Sequence, residues 1–201
     1  MGLGEINKEG NNNKLKKLLG IIVISLCLTT PSQADDIRDF QIEGISIGDS
    51  LLDYFSEDKL KQDIVITPNI KDSDYIMSCF DDYGNTYSRT CFFYKKNSIK
   101  KKVEGIQGQT KYNKSAFKNC RNKQIEIDDD LSSLFTNLDK NDWGKLKLLG
   151  LKDIDPDAYY HPITYTFNDN SRAQIGCYQI LDKTRLKVIV YNSELRKVIS
   201  K

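Results

Sequence analysis

Phe117–Leu138 reads FKNCRNKQIEIDDDLSSLFTNL. Its apolar positions are Phe117, Cys120, Ile127, Leu131, Leu134 and Leu138, with Gln124 filling the gap. The steps alternate between three and four residues, the spacing that lines one face of an α-helix. Phe135 widens the stripe near its end. The stretch predicts a long central helix with strands packed against it. Asp128, Asp129 and Asp130 fall inside it, so their side chains fan around the axis and do not converge on an ion. They read as the helix's solvated side.

Towards the N-terminus a hairpin can be read residue by residue. Centred on Asn85, in the turn Tyr83-Gly84-Asn85-Thr86-Tyr87, it sets Cys79 opposite Cys91, Met77 opposite Phe93 and Asp81 opposite Arg89. On the other face Ile76 meets Tyr94 and Phe80 meets Thr90. One register thus satisfies a disulfide, an apolar pair and an ion pair together. By elimination Cys120 pairs with Cys177. Four cysteines still admit three connectivities, and free buried thiols are the alternative.

The first 34 residues have the pattern of a secretory leader. Lys14, Lys16 and Lys17 precede the apolar run Leu18–Thr29, and Ser32 and Ala34 are the small residues that a signal peptidase needs. The run is short for a membrane span, which needs about 20 residues. Leu26 before Cys27 disfavours a lipoprotein signal. Cleavage after Ala34 predicts a periplasmic or secreted protein with no membrane span, a single exported domain at 35–201.

The leader takes one of five cysteines with it, leaving Cys79, Cys91, Cys120 and Cys177, an even count that suits an oxidising compartment. None of their spacings is the C-x-x-C of a zinc or redox motif. The leader also holds four of the 30 basic and two of the 28 acidic residues, which leaves 26 of each. A balanced charge gives no reason to expect nucleic acid or an anionic membrane as partner.

The rest of the chain reads mostly as strands. Ile42, Ile45 and Ile47 lead through Gly48 into Asp49 or Ser50, a helix cap before the apolar Leu51, Leu52, Tyr54 and Phe55. Gly48-Asp49-Ser50 lacks the glycines and lysine of a phosphate loop and the Gly-x-Ser-x-Gly of a serine hydrolase. Ile64–Thr67 is an edge strand stopped by Pro68. Val103–Tyr112 is a strand whose Gly105 and Gly108 mark bulges or close backbone approaches. A turn is expected at Asp139–Asp142, an ambiguous segment leaning to strand at Trp143–Leu151, and a loop at Asp153–Pro162. Three strands of a meander follow: Ile163–Phe167, Arg172–Leu181 and Leu186–Tyr191. A short helix over Glu194–Ser200 closes the chain. The fold class is α+β, an antiparallel sheet covered on one face by the long central helix and shorter terminal helices.

No set of residues converges on a chemistry. His161, the lone histidine, reads as a surface residue in the loop, without companions for zinc or a nucleophile beside it. Asp153, Asp155 and Asp157 alternate as in a calcium loop but lack the glycine and glutamate of an EF-hand. No catalytic residue, metal site or cofactor is assigned.

Ile42–Phe55, IEGISIGDSLLDYF, resembles the opening segment of a group of exported bacterial modules. The group includes the β-lactamase-inhibitor protein and the small lipoprotein of the outer-membrane barrel assembly machinery. Together with the Cys120 helix, the strand Ile175-Gly176-Cys177-Tyr178 and Leu186–Tyr191, it also resembles uncharacterised secreted bacterial proteins. The resemblance implies a helix-and-sheet module and carries no activity. The expected role is a non-enzymatic binding module whose partner is an envelope protein or glycan. The alternative is a small hydrolase of envelope glycans using two carboxylates.

Overall fold

Period-two alternation outweighs helical periodicity in this chain, and the architecture follows it. The structure is a computed structural model and describes residues 36–200 apart from Pro68, Asn69, Asp82 and Thr136. The leader, its cleavage after Ala34 and the strand stop at Pro68 lie outside the described residues.

A small hairpin, β1 (Gln41–Ile42) and β2 (Ile45–Ser46), comes first. The short helix α1 (Glu57–Gln62) follows, then β3 (Ile64–Val65), β4 (Tyr75–Asp81), β5 (Arg89–Lys95) and β6 (Gly105–Asn113). After α2 (Phe117–Leu134) come β7 (Asp139–Asp142), β8 (Leu146–Lys147), β9 (Tyr159–Thr166), β10 (Arg172–Ile180) and β11 (Lys183–Tyr191). The last element is α3 (Ser193–Ile199). Strands β3 to β11 form one antiparallel sheet in the order β3-β4-β5-β6-β11-β10-β9-β7, with β8 also beside β9. Two meanders, β4-β5-β6 and β9-β10-β11, thus join edge to edge through β6 and β11. The connection between the meanders carries α2.

The β4-β5 register pairs Cys79 with Cys91, Met77 with Phe93 and Asp81 with Arg89. Cys79 and Cys91 are bonded, with 4.0 Å between their Cα atoms. A second disulfide joins Cys120 of α2 to Cys177 of β10.

The expected long central helix is corrected. α2 ends at Leu134, and the Phe135 backbone turns out of the helix (φ −114°, ψ 81°). That turn buries the Phe135 ring between Phe40 and Phe167, a better use of the aromatic than a further helical turn. The helix lies on the sheet and contributes Cys120, Gln124, Ile127 and Leu131 to the buried core. Most of that core comes from strands, with Phe92, Ile106, Ile163, Ile175, Val188 and Val190 beneath it.

A second correction concerns the terminal helices. The N-terminal segment, with Ile37, Phe40, Ile42 and Ile45, shares the α2 face. α3 packs on the opposite one. Its Leu195 joins Tyr75, Met77, Phe93, Tyr191 and the Cys79–Cys91 disulfide. The reason lies in the sequence of β4 and β5, whose strands are apolar on both faces and leave a corner needing cover. Asn192 caps α3 by accepting the Leu195 N–H at 2.9 Å.

Three local expectations also change. Asp139–Asp142 is strand β7, not a turn. Trp143–Leu151 holds the two-residue strand β8 and one 3₁₀ turn, Leu149–Leu151. The loop expected to run to Pro162 ends earlier, because β9 begins at Tyr159. Gly105 and Gly108 mark close approaches: a Cβ there would meet Leu195 at 2.5 Å and the Tyr87 ring at 2.7 Å.

Candidate functional site

Side chains alternate between the two faces of a strand, so the register assigns every residue of the inner strands to one face. Cys177, Leu186 and Ile175 point to α2. Their sequence neighbours Tyr178, Gly176, Lys187 and Arg185 therefore point the other way. On this face α3 covers only the corner around Tyr191 and Phe93. Among the described residues no helix lies over the middle of β6, β11, β10 and β9 on this side.

Two rows of that open face carry its chemistry. Across the strands, Tyr160 pairs with Tyr178, Tyr178 with Arg185, and Arg185 with Lys111. In the next row Pro162 pairs with Gly176, Gly176 with Lys187, and Lys187 with Gln109. The rings of Tyr160 and Tyr178 stack at 5.2 Å with 19° between their planes. Gly176 makes room for this arrangement: a Cβ there would lie 2.8 Å from the Tyr178 ring. Lys187 lies over the same ring, 4.9 Å from its centroid. Gln174 donates to the Tyr178 hydroxyl at 3.0 Å. Trp143 flanks the face at 53% exposure, its indole N–H donating to Thr164 at 3.0 Å.

The electrostatics are uneven. Among the described residues no carboxylate is within ion-pair reach of Lys111, Arg185 or Lys187. Burial and the nearby Arg185 guanidinium lower the Lys187 ammonium from its ordinary value. Burial raises the Tyr178 phenol, so it stays a neutral donor and acceptor.

A second region is a shallow depression of about 640 Å³ at one end of the sheet. Asp155, Asp157 and Asp182 line it together with Phe117 and Tyr159. Asp155 accepts the backbone N–H groups of Asp157 and Leu181, so both its oxygens are engaged in tying the loop to the β10-β11 turn. Asp153, the third member of the alternating run, does not line the depression.

His161 is not the surface loop residue expected. It sits in β9 on the α2 face, half-buried, with its Nδ1 4.0 Å from Asp142 and without a hydrogen-bond partner among the described residues. Burial and Arg121 lower its pKa, and Asp142 opposes them. Asp128 is not part of a solvated side either. It accepts from the Tyr165 hydroxyl and pairs with Lys140 at 2.8 Å, its side chain 13% exposed. Asp129 and Asp130 are exposed.

Sequence reading missed the open face because its residues are polar, lie on four strands, and come together only through the register. The signal was present in β11, KTRLKVIVY, where Lys183, Arg185, Lys187 and Ile189 alternate with buried residues. Compared with protein families, with characterised proteins and with solved structures, the chain matches none. Among the described residues no helix is long and apolar enough to cross a membrane. The two disulfides fit an extracellular or periplasmic protein.

Proposed function

We infer that the protein is an exported binding module that engages its partner through the open face of the sheet. The carrying observation is the cluster Lys187, Arg185 and Lys111 beside the stacked Tyr160 and Tyr178, without a carboxylate in ion-pair reach among the described residues. Unpaired cations held close together repel one another and cost stability. A bound partner that supplies the opposite charge and covers the rings removes that cost.

The test is photocrosslinking in the producing cell from a photoreactive residue replacing Gln107, a half-buried position on this face. An adduct that disappears when Lys187 becomes Glu is the expected result. Adducts that form equally in both backgrounds contradict it.

A second reading is a glycan hydrolase, favoured by the carboxylates beside Phe117 and Tyr159 in the depression. Asp157 and Asp182 would carry the reaction, since the Asp155 oxygens are engaged. Envelope-glycan turnover that vanishes with Asp157→Ala and Asp182→Ala supports it. Absence of turnover in the unaltered protein rejects it.

A further inference from the structure

We propose that the occupant of the open face is an acidic polysaccharide whose sugar rings pack on Tyr160, which Tyr178 backs, and whose anionic groups meet Lys187, Arg185 and Lys111. The proposal rests on the open-face binding reading and names its ligand class.

The geometry carries it in three ways. First, charge: the three cations are on adjacent strands β11 and β6, next to the tyrosines of β9 and β10. The tyrosine-to-lysine row crosses four strands, roughly 15 Å at one strand spacing per step, the length of about three sugar units. An anionic group repeated along a polymer meets more than one cation of this row, which a single small anion does not. Second, ring faces: a sugar presents an apolar C–H face and a rim of hydroxyl groups. Tyr178 is held between Tyr160 and Lys187, so the ring face for the first is that of Tyr160, and the amide oxygens of Gln174 and Gln107 serve the second, their nitrogens donating to the Tyr178 hydroxyl and to Cys91 Sγ. Third, the surface is the wrong shape for an added peptide strand. It is the middle of a sheet, so no free strand edge invites one. The exposed Trp143 on its flank adds a further ring beside β9, the strand of Tyr160. Nothing is transferred in this interaction; it is recognition alone.

The experiment is affinity electrophoresis of the intact, disulfide-bonded chain in gels cast with alginate, a polyuronate, or with dextran, a neutral glucan. Retardation in alginate and none in dextran is expected. Lys111→Glu, an exposed change that leaves the fold intact, and Lys187→Gln should each weaken retardation by about tenfold. Raised salt should weaken it further. Tyr160→Ala should weaken it while leaving the salt dependence unchanged, because it removes a ring and no charge. Thermal unfolding of each variant separates lost binding from lost fold. Equal retardation by dextran, or tighter retention by single-stranded DNA or anionic vesicles, overturns the assignment. So does alginate binding that ignores the Lys111 and Lys187 changes. If alginate is not bound but the Gln107 crosslink still forms and still depends on Lys187, the glycan falls and the open-face reading stands. If neither appears, both fall.

Discussion

Lys187 lies over the ring of Tyr178, 4.9 Å from its centroid, on the part of the sheet face that α3 leaves uncovered. The ring reaches that place because the adjacent residue, Gly176, has no side chain. Burial disfavours the Lys187 charge, and Arg185 adds repulsion. The pair is therefore better suited to meeting an anion than to stabilising the free protein. Lys187→Met keeps most of the stem and removes the charge. It should raise stability in urea unfolding by about 1 kcal/mol or less while weakening binding at this face about tenfold. A loss of stability would instead give the ammonium a structural role.

The two disulfides close loops of different length. Cys120–Cys177 spans 57 residues and Cys79–Cys91 spans 12. Chain-entropy arithmetic gives about 4 kcal/mol for the first and about 3 kcal/mol for the second. Replacing the pair Cys120/Cys177 by alanine should cost more than replacing Cys79/Cys91, read from urea unfolding of each double variant. The reverse order would mean that the Cys79–Cys91 hairpin contributes chiefly by supporting α3, through Leu195.

Gln124 is fully buried under α2, where its amide donates to the carbonyls of His161 at 2.7 Å and Ile175 at 2.8 Å. It joins the helix to β9 and β10 at once. Gln124→Leu preserves the volume and strips both bonds, leaving buried acceptors short of a donor. The cost should be about 1–3 kcal/mol, measured as a shift in urea midpoint at unchanged slope.

His161 gives the fold a pH dependence whose sign follows from its surroundings. Burial and Arg121 lower its folded-state pKa, against an unfolded value of about 6.5. Between the two values the unfolded chain binds the proton and the native state does not, so stability falls as pH drops below about 6.5. Above that pH both states are neutral and the effect is absent. His161→Gln should flatten the change in melting temperature between about pH 7.5 and about pH 5.5. An unchanged slope would assign the acid sensitivity to carboxylates.

The hairpin Tyr75–Lys95 was legible because one register satisfied three kinds of side-chain pair at once, and the structure has that register. The α2 stripe was legible from its period down to Gln124, a polar residue at a buried position. Its C-terminal end was not, because Phe135 keeps the helical spacing yet leaves the helix to pack between Phe40 and Phe167. The side on which α3 packs was hidden too. It depends on which face of β4 and β5 remains uncovered, and both faces of those strands are apolar. The open face needed the pairing of four strands before Tyr160, Tyr178, Arg185, Lys187 and Lys111 stood together. No local pattern encodes that. Asp128 read as solvated because three consecutive acids look alike, and only Tyr165 and Lys140 distinguish the first of them.

Binding at the open face can be read residue by residue from amide chemical shifts as alginate oligomers are titrated into the disulfide-bonded chain. Perturbations are expected on β6, β11, β10 and β9 around Lys111, Arg185, Lys187, Tyr178 and Tyr160. None is expected around Phe117, Asp157 and Leu181 of the depression. Shifts confined to the depression, or none at all, would contradict binding at the open face.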